Sequence, residues 1–155
     1  MRKSIIKTAS AQPRSDAQWI DLENIASVEV SSEDKDFPIE SALVGERPGW
    51  RAAEPGEQTI RLIFDRPRPL HRIRLEFRET DTERTQEFVL RWSPDGGRSL
   101  QEIVRQQWNF SRPDATRETE DYAVELSNVT LLELIIEPDK ENRKARASLL
   151  SLHLA

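Results

Sequence analysis

The chain has no cysteine, only 5 glycines among 155 residues, 2 histidines and 1 tyrosine. Without cysteine there is no disulfide framework, no thiolate metal site and no thiol nucleophile. A small all-β module from an oxidising compartment commonly carries disulfides, so their absence points to a reducing one, and the expected location is cytoplasmic. The few glycines, two of them adjacent at Gly96 and Gly97, provide no glycine-rich cradle for a phosphate. His71 and His153 belong to no spacing that builds a zinc site or a catalytic triad. Long apolar runs are missing as well. The basic opening "MRKSIIKTASAQ" has only Ile5-Ile6 where a secretory signal needs about 7–15 apolar residues. Nothing approaches the ~20 consecutive apolar residues of a membrane-spanning helix. The net charge of -5 argues against a general nucleic-acid binder, whose footprint is basic.

Charged residues make up 33% of the chain and hydrophobic ones 36%, with 4 Trp and 5 Phe, the profile of a globular fold with a very wet surface. The length suits about one domain. Residues 1–18 are polar and aperiodic and are expected to form a loose arm; residues 19–155 are expected to form one domain. "WIDLENIA" (Trp19 to Ala26) reads as a helical turn or an edge strand.

From there the dominant signal is period two, the mark of half-buried strands. Ile60, Leu62 and Phe64 alternate with Arg61; Ile73, Leu75 and Phe77 alternate with Arg72, Arg74, Glu76 and Arg78. Phe88, Leu90 and Trp92 form a third inward set, and Tyr122, Val124 and Leu126 a fourth. Leu132, Leu134 and Ile136 follow, then Leu150, Leu152 and Leu154 opposite Ser151 and His153. A strand near Gln101 to Phe110 has an ambiguous inward face. "DRPRP" (Asp65 to Pro69) reads as a corner, because its prolines remove ladder donors and fix φ. "SPDGG" (Ser93 to Gly97) carries the Pro and Gly of a hairpin turn. Seven or eight short strands without a sustained helical period give an all-β antiparallel sandwich or barrel. On its outward faces Arg61, Arg72, Arg74 and Arg91 can pair with Glu76, Glu133 and Glu137 across strands, which reads as a solvated ion-pair surface rather than a phosphate-binding stripe.

Catalysis finds no support in this pattern, since no opposed acid/base pair or nucleophile can be assembled from the spacing. "SSEDKDF" (Ser31 to Phe37) offers Glu33, Asp34 and Asp36 as hard oxygen ligands, but it lacks the EF-hand spacing and reads as a solvated acidic loop. The sequons at Asn109 and Asn128 matter only in a glycosylating compartment.

Taken in order, "VSSEDKDFPIESALVGERPGW", "QTIRLIFDRPRPLHRIRLEFRE", "EFVLRWSPDGG", "WNFS" and "ARASLLSLHLA" resemble the discoidin, or coagulation-factor C-type, domain of the galactose-binding-like jelly rolls, over roughly residues 25 to 155. The resemblance implies an eight-stranded antiparallel jelly-roll β-sandwich and a non-catalytic module that binds a carbohydrate or similar small polar ligand through loops at one end. It places Trp50 and Arg51 at that end, with Arg78, Glu79 and Arg84 on the elbow "RETDTERT". Planar guanidiniums suit vicinal hydroxyls or a carboxylate, an indole face stacks on a sugar ring, and Glu79 supplies an acceptor. The same residues have blander readings: Trp50 as a core indole, and the arginines paired with Glu79, Asp81 or Glu83. The family's Ala-Leu-Asp-Gly becomes Ala42-Leu43-Val44-Gly45, removing an aspartate that helps hold calcium, so no cofactor is expected and a structural calcium is not favoured. The terminal disulfide is also missing. Charged loops in place of an apolar spike speak against membrane binding. The alternative is a protein–protein interaction module of the same fold, with a protein partner in place of the sugar; the pattern leaves oligomeric state open.

Overall fold

Alternation at period two becomes one continuous sheet. In the computed structural model, which describes residues 19–45, 48–80 and 82–155, the strands are β1 (Ala26–Val30), β2 (Trp50–Arg51), β3 (Gln58–Arg78) and β4 (Arg84–Ser93). They continue with β5 (Gln101–Phe110), β6 (Arg117–Glu137), β7 (Ser148–Leu149) and β8 (Ser151–Leu154). The arm expected over residues 1–18 lies outside the described residues. A short helix α1 (Leu22–Ile25) settles the ambiguity of "WIDLENIA", and α2 (Ile39–Val44) is a helix that no period announced.

All pairings are antiparallel. The main sheet runs β1-β3-β6-β4-β5, with β8 also paired to β3, and β2 and β7 form a separate two-stranded ribbon. The two 21-residue strands make this sheet a sandwich. The first part of β3 pairs with the last part of β6, Ile60 opposite Leu134, while its second part pairs with the beginning of β6, Ile73 opposite Tyr122. Only the last part of β6 is shared with β4. Phe77 of late β3 therefore stacks on Phe88 of β4 across the interior, ring centroids 5.3 Å apart. Ile60, Leu62, Leu75, Leu90, Leu134 and Ile136, all at most 2% exposed, fill the same core.

The proline corner behaves differently from the expectation. Asp65 to Pro69 does not end a strand; β3 runs through it, and the pairing with β6 shifts register between Ile63 and Arg72 instead. The prolines remove donors from the ladder while their fixed φ remains compatible with extended backbone, so the strand bends without breaking. "DYAVELS" and "LLELIIE" likewise lie on the one strand β6. In the last segment Leu149, Leu152 and Leu154 are buried but Leu150 is not, because the chain kinks at Leu150 between β7 and β8. Trp92, expected to face inward, packs against the core while half-buried, as does Trp108. On β5 the inward face contains Trp108 and the fully buried Phe110.

The outward ion pairs form as the pattern suggests. Glu133 lies between Arg61 and Arg91, its Oε2 accepting from Arg61 Nε at 2.8 Å and its Oε1 2.6 Å from Arg91 Nη2. The two side chains leave the carboxylate 1% exposed. Arg72 grips Asp121 with two hydrogen bonds of 2.9 and 2.7 Å.

Candidate functional site

The loop end of the sandwich is assembled from four places in the chain. Gly49, at φ 82, lets the backbone turn so closely over β7 that a Cβ there would meet the Leu149 carbonyl oxygen at 2.7 Å. Trp50 and Arg51 then pair with Leu149 and Ser148. Phe37 is tied to the same ribbon, its carbonyl accepting from the Arg51 N–H at 3.2 Å. The preceding acidic loop is held by its own side chains: Glu33 Oε1 accepts from the Ile39 N–H at the start of α2 at 2.9 Å, and Asp34 Oδ1 from the Asp36 N–H at 3.0 Å. Among the described residues no three acidic or histidine side chains gather as metal ligands. The end of β3 and the following elbow supply Arg78, Glu79 and Thr80, and the Leu150 N–H donates to the Glu76 carbonyl at 2.8 Å to bring the β7–β8 kink alongside.

Between these segments lies a cleft of about 300 Å³ lined by Phe37, Pro48, Trp50, Arg51, Arg78, Glu79, Thr80 and Ser148 to Leu150. Four of the five residues singled out from sequence thus share one concavity. The fifth, Arg84, lines an adjoining depression together with Arg51, Glu79 and Arg146.

Their exposures differ, and so do the roles open to them. Trp50 is 1% exposed and its indole N–H donates to the Ser32 carbonyl at 3.1 Å, so it is a buried wall of the cleft with no free face for stacking. The Arg84 side chain is 4% exposed. Its Nη1 lies 3.3 Å from Glu79 Oε1 and donates to the Arg146 carbonyl at 2.9 Å, and its guanidinium lies 5.6 Å from the Phe110 ring centre. Burial lowers its pKa from the usual arginine value, opposed by the charges of Glu79 and Asp139. An arginine so lowered still keeps its charge at neutral pH. The other oxygen of Glu79, Oε2, accepts from the Thr82 N–H at 3.1 Å. Both carboxylate oxygens are thus engaged from behind.

Arg51 and Arg78 are exposed. The Arg51 guanidinium lies 4.7 Å above the Phe37 ring centre. Phe37, Pro48 and the Ser148 to Leu150 kink were missed from sequence. Phe37 sat in a stretch dominated by its acids, and the kink reads as part of an ordinary strand. A bulky aromatic directly before Pro38 and α2 is the signal that would have found it.

The hairpin turn "SPDGG" closes the far end of β4, about 30 Å away at 3.3 Å per residue. Ser93 Oγ accepts from the Asp95 and Gly97 N–H groups at 3.2 and 2.8 Å and donates to Asp95 Oδ1 at 2.7 Å. The Ser93 hydroxyl, followed by the Ser99 N–H and hydroxyl, lowers the Asp95 carboxyl to about 2. Its polar groups are spent on the turn.

No family model and no curated protein matches the chain. Solved structures do. A family 32 carbohydrate-binding module of Clostridium perfringens NanJ, in complex with galactose, matches with TM-score 0.65 at 12% identity, over 88% of this chain and 96% of that one. The family 32 module of AlyQ, in complex with 4,5-unsaturated mannuronic acid, matches with TM-score 0.64 at 18% identity, over 89% and 98%. CpGH89CBM32-5 of Clostridium perfringens, in complex with GalNAc-β-1,3-galactose, matches with TM-score 0.67 at 16% identity, over 88% and 99%. At these identities the likeness shows the fold: the chain has the β-sandwich of these modules, the fold that its resemblance to discoidin domains implied.

Proposed function

We propose that this chain is a carbohydrate-binding module without catalytic activity of its own, and that the sugar sits in the cleft formed by Phe37, Arg51, Arg78 and Glu79. The observation that carries the reading is the cleft itself, in which exposed guanidinium donors, the Glu79 carboxylate and the Ser148 to Leu150 backbone converge on about 300 Å³. That volume is at the small end of ligand sites and suits one sugar ring with its neighbours left in solvent. Support also comes from the three solved neighbours named above, each in complex with a sugar. The composition, free of cysteine, supports a reducing compartment.

Trp50 and Arg84 enter this proposal as positioning residues: Trp50 backs the cleft, and Arg84 fixes the carboxylate of Glu79. The protein-partner alternative is not favoured, because arginines on the outer faces at positions 61, 72 and 91 are already satisfied within the chain. Titration calorimetry against a panel of neutral and acidic monosaccharides and short oligosaccharides tests the proposal. Saturable binding that Arg78→Ala removes is expected, and a blank panel with folded protein refutes it.

A further inference from the structure

We propose that the cleft selects an acidic sugar, a uronic acid whose carboxylate is held between the Arg51 and Arg78 guanidiniums. The inference rests on the sugar-binding reading of the same site and narrows its ligand class.

Three observations carry it. The first is unbalanced charge. Three arginines on the sheet are held within the chain, Arg61 and Arg91 sharing Glu133 and Arg72 on Asp121. Among the described residues no ion pair engages Arg51 or Arg78; the one side-chain partner shown for Arg51 is the Phe37 ring. The second is the state of Glu79, the single acid that lines the cleft among the described residues. Glu79 gives one oxygen to Arg84 at 3.3 Å and the other to the Thr82 N–H at 3.1 Å. With Glu79 facing a buried guanidinium, the described lining leaves the Arg51 and Arg78 charges in excess. The third is the shortage of stacking surface. Arg51 covers one face of Phe37, and Trp50 is 1% exposed.

A neutral sugar depends on a ring on which to lay its apolar face, and here that contribution is weak. A uronate instead brings two oxygens in a plane to donors that are themselves planar and charged. Such charge-assisted bonds are roughly twice as strong as neutral ones, and a guanidinium fork matches a carboxylate better than any single hydroxyl does. The hydroxyls next to the carboxylate can then reach the backbone of the Ser148 to Leu150 kink.

The experiment is calorimetric titration of the intact chain with trigalacturonate, its full methyl ester, galactose and galactose 6-sulfate, at low and high salt. The acid is expected to bind about 10-fold or more tighter than its ester, a gap that narrows in high salt. Arg51→Gln and Arg78→Gln, both exposed and read alongside their melting temperatures, are each expected to bring acid and ester to the same affinity. Equal affinity of the wild-type chain for acid and ester overturns the inference while leaving sugar binding intact. Tighter binding of the sulfate than of the acid overturns the carboxylate assignment. Failure of all four ligands on folded protein overturns the sugar-binding reading as well.

Discussion

The Arg84 guanidinium lies 3.3 Å from the Glu79 carboxylate with its side chain only 4% exposed, so the elbow at the loop end is anchored from inside the sandwich. Six residues earlier, Arg78 stands exposed on the rim of the same cleft. Two arginines that look equivalent in the sequence therefore divide into one buried against Glu79 and one exposed at the cleft.

That division predicts opposite phenotypes. Arg84→Ala leaves Glu79 without its cation and opens a void against Phe110; a loss of about 2–4 kcal/mol in unfolding free energy is expected. Arg78→Ala is expected to change stability by no more than about 0.5 kcal/mol while sugar binding falls away. Urea unfolding and calorimetric titration of both variants check the pair.

Glu133 offers a second test, on the opposite surface of the sheet from the core. Its carboxylate is the common partner of Arg61 and Arg91 and is almost wholly covered by them. Glu133→Gln leaves two guanidiniums sharing a neutral amide, and a loss of roughly 2–4 kcal/mol is expected. Sugar binding is expected to be unchanged, since the residue lies on the outer face of β6, away from the cleft. Chemical denaturation measures the first and titration the second.

A pH effect follows from the inner end of β6. Glu118 is 1% exposed, its Oε1 accepts from Gln86 Nε2 at 3.3 Å, and its Oε2 has no hydrogen-bond partner. Burial, and then the neighbouring Glu120, push its carboxyl up to about 9. A carboxyl raised in the folded state holds its proton more tightly there than in the unfolded chain. Its stabilising contribution is therefore complete below the unfolded value of 4.5 and declines as pH rises toward about 9. Glu118→Gln, neutral throughout, is expected to flatten that decline and to raise stability at pH 8 by about 1–3 kcal/mol. Thermal melts of both forms between pH 5 and about 9 read the difference.

Gly49 makes the cleft depend on one backbone position. An added Cβ meets backbone rather than a yielding side chain, and the φ of 82 is itself unfavourable for other residues. Gly49→Ala is expected to cost about 1–3 kcal/mol and to weaken sugar binding by displacing Arg51. Gly96→Ala, whose Cβ meets nothing within 4 Å, has only the φ of 76 to contend with and lies at the far turn. Binding is expected to survive it, and the comparison of the two by melting and titration separates strain from collision.

Much of the sandwich could be read from alternation, because burial on one face imposes period two wherever a strand lies between core and water. Ile73, Leu75 and Phe77 point inward as their spacing requires. Prolines misled at Asp65 to Pro69 because they forbid a ladder bond but permit extended backbone. Leu150 misled because a kink of one residue leaves the composition of "SLLSLHLA" untouched while moving its side chain from core to cleft. The residues that meet at the candidate cleft could be picked by type from the sequence, but not by their exposures. Nothing local in the sequence distinguishes a buried Arg84 from an exposed Arg78, since both flank Glu79 and the difference is made by Phe110 and Arg146, which come from other segments.

The two 21-residue strands carry a consequence for how the molecule comes apart. Each of β3 and β6 belongs to both layers, so neither layer has a backbone it can release alone. Pulling the β3–β6 ladder open near Ile60 also strains the segment whose far end carries Arg78 and Glu79. Loss of either face should abolish the other in the same step, and a protease that cuts within β3 or β6 would have to wait for both to open.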